Sequence, residues 1–276
     1  MNKMTWEETV IHFRSQPQNK QIARDSYLEE DLVHNIERFR NSEEWNATMK
    51  ELAPFLSGNK IYKVLDIGAG NGISTLAFAL NGFEVTSLEP DTSDTVGSGA
   101  IKYLSSHYQI ENIDIVEAFG ENLPFEDEKF DIVYGRQVMH HAHHLSNFLK
   151  EASRVLKKGG ILMTVRDHVI KDENDKEKFF KKHPLHKYYG GENAFSFNEY
   201  RNAIINAKLS IKKIISPSES AINYSPWNKE RVSYLISNKL WKIFNHSLIV
   251  DLFWKFNKYR LESLPGKLYS FIAIKE

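Results

Sequence analysis

The sequence predicts an α/β protein built on a doubly wound, mostly parallel sheet. Three observations carry that prediction. Short apolar runs recur at 64–67, 85–88, 113–116, 130–134 and 161–165, separated by stretches with helical spacing of apolar residues. The first run ends in glycines at alternate positions, Gly68, Gly70 and Gly72, which reads as a buried strand entering a tight turn with a helix just beyond it. The second run ends in a carboxylate, Glu89, 21 residues after Gly68 and stopped by Pro90.

Composition narrows the function classes. At 276 residues the chain holds one sizeable core with appendages. Lysine plus arginine and aspartate plus glutamate balance at 36 each, so no global field favours nucleic acid, and none is expected as partner. Cysteine is absent, which excludes disulfides and thiolate zinc sites and suits a reducing cytoplasm, the expected location. The start of the chain has no apolar signal core, and no run approaches the ~20 apolar residues of a membrane span.

Taken in order, residues 5–13 predict a short helix. Residues 27–56 carry Leu28, Leu32, Ile36, Phe39, Trp45, Met49 and Leu52 at helical spacing. They read either as surface helices packed on the core or as a lid, in which case Tyr27, Arg38 and Arg40 are candidates to touch ligand. In the turn at 68–72, glycine allows positive φ and close approach of backbone to ligand. The following helix, from Ile73, points its first amides at whatever lies over the turn. A dinucleotide fingerprint wants a small residue where Ile73 stands. Asp66, two places before Gly68, would repel a pyrophosphate and suits a cationic ligand. Helices are predicted at 96–108, 145–156 and 196–207, with Ser196 as N-cap. Strands are predicted at 113–116, 130–136, 161–165, 209–215 and 268–274.

The stretch I-Y-K-V-L-D-I-G-A-G-N-G (61–72) resembles motif I of class I S-adenosylmethionine-dependent methyltransferases. E-N-L-P-F (121–125) followed by F-D-I-V (130–133), and R-V-L-K-K-G-G (154–160), are similar to the small-molecule, methyltransferase-11-like members. The resemblance covers roughly residues 55–215 and 268–274. It implies a Rossmann-like seven-stranded sheet, six strands parallel and one antiparallel. It implies S-adenosylmethionine as cofactor, leaving as S-adenosylhomocysteine, and no metal. The cofactor-binding residues it implies are Asp66, Gly68, Ala69, Gly70, Glu89, Pro90, Phe119, Gly120, Glu121 and Arg136, with Glu89 on the ribose hydroxyls. Phe119 and Gly120 stand where many members have an Asp-Ala pair for the adenine. Here the Phe119 ring and the backbone of 119–121 would take that role.

After the fourth strand, His140, His141, His143 and His144 form the densest titratable cluster in the chain. Imidazole titrates near neutrality and suits a general base. His140, His141 and His168 are the catalytic candidates. Adjacent histidines rarely both reach one ion, so no metal is assigned. Arg166, Asp167 and His168 leave the fifth strand at its carboxyl end, where such sheets bind ligands. The polar stretch 183–195 reads as an acceptor-binding loop. Substrate candidates are Arg166, His183, His186, Tyr189 and Glu192, and Arg136, Arg166 and the histidines are candidates to hold a phosphate.

Between Lys229 and Arg260 the chain has seven lysines or arginines and two acids among many large apolar residues. That pattern reads as helices covering the sheet, as a dimer contact, or as a basic amphipathic face for peripheral membrane contact. The expected organisation is a helical lid at 1–57, a methyltransferase domain at 58–216 and 267–276, and a helical insertion at 217–266. The resulting expectation is methyl transfer to a small-molecule acceptor by a monomer or homodimer. Its leading form is O-methylation of a sugar or phosphorylated sugar. Methylation of a lipid-linked or RNA acceptor, and a non-catalytic binder of the same cofactor, stay open.

Overall fold

A computed structural model describes residues 4–183, 185–189, 193–239 and 246–276. The strands are β1 (Lys63–Ile67), β2 (Glu84–Leu88), β3 (Ile113–Val116), β4 (Phe130–Arg136), β5 (Leu156–Ile170), β6 (Phe195–Ser196), β7 (Leu209–Ile215) and β8 (Lys267–Lys275). They form one sheet in the order β3-β2-β1-β4-β5-β8-β7, with the two-residue β6 beside β5. Neighbours from β3 across to β5 pair in parallel, whereas β8 runs antiparallel to both β5 and β7. The expected six parallel strands and one antiparallel strand are present, and β6 is an addition. The strand order reverses beside β1, so the crevice above β1 and β4 is open to ligand.

The helices are α1 (Trp6–Ser15), α2 (Lys20–Asp25), α3 (Leu32–Arg40), α4 (Glu43–Leu52), α5 (Ile73–Leu80), α6 (Ser98–His107), α7 (Leu145–Val155), α8 (Glu173–Lys182), α9 (His186–Tyr189), α10 (Phe197–Asn206), α11 (Ala221–Tyr224), α12 (Lys229–Lys239) and α13 (His246–Ser263). Among the described residues no helix is long and apolar enough to cross a membrane. Both α1 and α10 begin with capping boxes, Thr5 with Glu8 and Ser196 with Glu199, each satisfying two otherwise orphaned amides.

Two apolar layers cover the sheet. One side packs Val64, Ile132, Met163 and Val165 against α5 and, unexpectedly for a lid, against Ile36, Phe39, Trp45 and Leu52 of α3 and α4. An aromatic series crosses that layer from Phe39 to Trp45, Phe78 and Tyr134, with successive ring centroids 5.4, 4.8 and 5.1 Å apart. The other side packs Leu65, Ile67, Val133 and Leu162 against α7 and α10. The apolar stripe from Leu32 to Leu52 is therefore core, and Tyr27 is buried with it, while Leu28 faces the ligand cavity. Arg38 is bound to Glu29 and to the Arg24 carbonyl. None of Tyr27, Arg38 and Arg40 lines the ligand cavity.

The fifth strand departs most from expectation. It was expected to end at Val165, with Arg166, Asp167 and His168 as its exit. It continues to Ile170 because β8 keeps pairing with it, Asp167 opposite Tyr269 and His168 opposite Leu268. The register shifts between Thr164 and Asp167, and Arg166 takes φ +62°. This is a β-bulge, and one extra residue re-aims every side chain beyond it.

Candidate active site

The glycine turn forms the floor of the site. The amides of Gly68 and Ala69 donate to the Leu88 carbonyl at 2.8 and 3.2 Å, so the turn is tied to the end of β2. Gly68, Gly70 and Gly72 have φ of +66°, +55° and +82°, values costly for any residue with a Cβ. A Cβ on Gly68 would also lie 2.3 Å from Val138 Cγ2. Above this floor lies a cavity of about 430 Å³ at the carboxyl ends of β1, β2 and β4.

Glu89 closes one end. Its carboxylate accepts from the Gly70 amide at 2.6 Å and the Asp91 amide at 2.9 Å. It is buried, and burial pushes its carboxyl up to about 7 even though those two amides oppose the shift. Gly68, Ala69, Gly70, Pro90, Phe119, Gly120 and Glu121 line the same end. Phe119 stands at the rim, 63% exposed. Gly120 has no room for a side chain, since a Cβ there would sit 2.5 Å from the Phe148 ring. Asp66 is adjacent in sequence but does not line the cavity. It is fully buried, and Ser74 Oγ and Thr75 Oγ1 each donate to its Oδ2 at 2.7 Å. The carboxylate pins the first turn of α5 beneath the floor, and burial raises its carboxyl to about 6.

The other end holds histidines. His140 and Asp167 are buried, and His140 Nδ1 lies 3.1 Å from Asp167 Oδ1, which also accepts from the His140 amide at 3.3 Å. A carboxylate accepting at Nδ1 makes Nδ1–H the protonated nitrogen of neutral His140 and leaves Nε2 as the basic one. The His141 ring centroid is 4.2 Å from that of His140, His168 is 4.8 Å away, and His183 is 5.6 Å from His168. His168 Nδ1 donates to the Gly266 carbonyl at 2.6 Å. All four rings line the cavity, with Tyr189. Among the described residues no group of three His, Cys, Asp or Glu side chains is placed to hold a metal.

Two substrate candidates fall elsewhere. The bulge turns the Arg166 guanidinium to the opposite layer, where it donates to the Ile222 and Ser225 carbonyls at 2.8 and 3.0 Å. It lies 3.4 Å from Glu44 and does not line the cavity. The His186 ring stacks on Phe180 at 4.2 Å, also away from the cavity. Glu192 lies outside the described residues. Arg136 does line the cavity, but Glu44 holds it through Nε at 2.6 Å and Nη2 at 3.2 Å. Its charge is neutralised inside the fold, so the two arginines expected to hold a phosphate are both engaged.

The roof comes from within the helical segment expected at 1–57, though from residues the sequence did not single out as ligand contacts. Trp6 and Phe13 of α1, Ile22 of α2 and Leu28 cover the cavity. The roof is tied down at three points. Glu7 accepts from Thr95 at 2.7 Å, Trp6 packs edge-on to Tyr189 at 5.5 Å, and Asn71 of the glycine turn donates to the Tyr27 carbonyl at 2.7 Å. Asp167 and Glu44 were also missed as site residues. Only the position of Asp167 within R-D-H hinted at a role.

Residues 65–164 match the Methyltransf_11 profile, a methyltransferase domain. The chain is 36% identical over 108 residues to phthiotriol/phenolphthiotriol dimycocerosates methyltransferase 1 of Mycobacterium ulcerans, covering 39% of this chain and 37% of that protein. It is 33% identical over 125 residues to the uncharacterized methyltransferase YcgJ of Bacillus subtilis, covering 43% and 45%. The matches thus span well under two thirds of those relatives. Among solved structures, geranyl diphosphate C-methyltransferase from Streptomyces coelicolor superposes with TM-score 0.59 at 15% identity, over 84% of this chain and 79% of that one. Phosphoethanolamine N-methyltransferase 2 of Haemonchus contortus gives 0.61 at 16%, over 99% and 60%. At these identities the likeness is one of fold.

Proposed function

We propose that this chain, whose residues 65–164 match a methyltransferase domain, transfers a methyl group from S-adenosylmethionine to a hydroxyl of a small molecule. The observation that carries this reading is the juxtaposition in one cavity of the glycine turn with Glu89 and the His140–Asp167 pair.

The residues at the glycine end fit the cofactor. Glu89 stands at the end of β2 with its carboxylate at the cavity wall, where it would accept from both ribose hydroxyls. Phe119 offers an exposed ring for the adenine. The ionisable groups lining this end are Glu89, Asp91 and Glu121, opposed by Arg136 already paired with Glu44. That balance suits a sulfonium and would repel the pyrophosphate of a dinucleotide. When bound, S-adenosylmethionine supplies an electrophilic methyl on a cationic sulfur.

The chain's own work is then positioning and one proton. Asp167 orients His140 and stabilises its imidazolium. His140 Nε2 would take the proton of the acceptor hydroxyl. His168, fixed by the Gly266 carbonyl, and His141, packed on His140, bound the acceptor space. The roof of Trp6, Phe13, Ile22 and Leu28 excludes water and holds the reactants in line.

The acceptor in this reading is a hydroxyl-bearing molecule such as a sugar or phosphorylated sugar, with Trp6 and Tyr189 in the cavity wall. Because Arg136 and Arg166 are engaged with Glu44, a phosphate there would fall to the cavity histidines. With no cysteine to protect, the chain suits work in the cytoplasm. Isothermal titration with S-adenosylmethionine and with NAD tests the cofactor; binding of NAD alone would refute the reading. A radiolabelled-methyl transfer assay over sugars and lipid-linked sugars, run with wild type and His140→Gln, tests the chemistry. Turnover that His140→Gln leaves intact would remove His140 as base.

A further inference from the structure

We propose that one face of α13 docks this protein on an anionic lipid surface. The helix has 18 residues, so it runs about 27 Å. Its inner side is settled: Val250 and Asn257 are buried, Val250 clusters with Val232 of α12, and Trp254 packs edge-on to Tyr224 at 5.2 Å. Its outer side is the anomaly. Leu252, Phe256 and Tyr259 are 67%, 65% and 72% exposed. At spacings of four and three residues they form one stripe. Phe253, also exposed, lies beside it. Isolated exposed apolar residues are ordinary; four large ones on one helix face mark an interaction surface.

Charge selects the partner. Counting around the helix at 3.6 residues per turn, Lys255 and Arg260 flank the stripe on opposite sides. The two acids of α13 are engaged within the fold. Asp251 is ion-paired with Lys229, and Glu262 accepts from the Ser218 amide at 3.0 Å. From 229 to 260 the sequence has seven basic residues against two acidic, in a chain whose net charge is zero. Lys229 and Arg231 are themselves ion-paired, and the basic residues that stand exposed on α13 beside the apolar stripe are Lys255 and Arg260. An interfacial helix needs that combination: apolar side chains enter the headgroup boundary while lysine and arginine reach up to lipid phosphates.

The face is joined to the catalytic cavity. Arg231 of α12 holds Asp25 of α2 through both nitrogens, each at 2.9 Å. One turn before Asp25, Ile22 lines the cavity and is 43% exposed. A helix pair resting on lipid would therefore sit beside the roof, where a lipid-borne acceptor could be met. The docking itself rests on α13 alone and is independent of the methyl-transfer reading.

Sedimentation of the whole chain with vesicles tests it. Phosphatidylcholine vesicles containing phosphatidylglycerol should pellet the protein, and pure phosphatidylcholine vesicles should not. The triple variant Leu252→Ser/Phe256→Ser/Tyr259→Ser, checked for folding by circular dichroism, should bind about ten-fold or more weakly. Lys255→Glu should weaken binding more than about five-fold, and added salt should release the wild type. Three results would overturn the proposal: no pelleting with anionic vesicles, equal pelleting of the triple variant, or a stable dimer by light scattering that the triple variant dissolves. The last would make the stripe an interface between copies.

Discussion

Replacing Glu89 with glutamine separates two consequences of one buried carboxylate, with opposite signs. In the folded chain its carboxyl is pushed from an ordinary 4.5 up to about 7. Below about pH 4.5 folded and unfolded states both hold the proton, and pH has no effect through this group. Between about 4.5 and 7 the unfolded chain releases its proton while the folded chain keeps it. Stability therefore falls by about 1.4 kcal/mol per pH unit across that window. Above about pH 7 the loss is complete, on the order of 3–4 kcal/mol. Glutamine does not titrate. Urea unfolding of wild type and Glu89→Gln at about pH 4.5 and about pH 8 should show the variant gaining on the order of 3 kcal/mol relative to wild type between the two. The double difference cancels groups that do not interact with Glu89; Asp66 and Asp91 do interact with it and push its carboxyl in the same upward direction. Binding should move the other way. Hydrogen bonds to a charged acceptor contribute about 1.5–3 kcal/mol each, so calorimetry at about pH 8 should show S-adenosylmethionine bound at least ten-fold more weakly. A pH-independent stability difference would refute the burial argument, and unchanged affinity would remove Glu89 from the cofactor site.

Three further substitutions probe the rest of the site. Asp167→Asn retains Oδ1 for His140 Nδ1 but loses the charge that stabilises an imidazolium. Steady-state kinetics should show kcat lowered by about 10²-fold or more with cofactor affinity unchanged, and an equal loss in both would indicate a structural role. Glu44→Gln leaves the buried cations Arg136 and Arg166 without the carboxylate they share and should destabilise the chain by about 3–5 kcal/mol in urea unfolding. Adding Arg136→Met removes one of the two stranded charges and should recover part of that loss. Gly68→Ala meets both a φ of +66° and Val138 Cγ2 at 2.3 Å, and should cost about 1–3 kcal/mol. Val138→Ala should relieve the steric part alone, so full recovery in the double variant would show that backbone strain is absent.

The parts of this protein legible in its sequence are those set by local chemistry. Alternation and apolar runs mark the strands because burial acts on each segment separately. The glycines at 68, 70 and 72 mark the turn because positive φ excludes other residues there. Glu89 could be placed because a strand of known length carries it to a known edge. What only the tertiary structure decided are pairings distant in the chain. Glu44 and Arg136 are 92 residues apart and His140 and Asp167 are 27 apart, and no local pattern announces either pair. Residues 27–56 have the periodicity of any amphipathic helix, which does not say whether the apolar stripe meets a cavity or a sheet. Here it meets the sheet, and the roof falls to α1 and α2. The exchange of roles between Arg166 and Asp167 has the simplest cause. Strand alternation has a period of two, so a single bulged residue inverts every later assignment. Whether a bulge forms depends on the neighbouring strand, β8, about a hundred residues further along the chain.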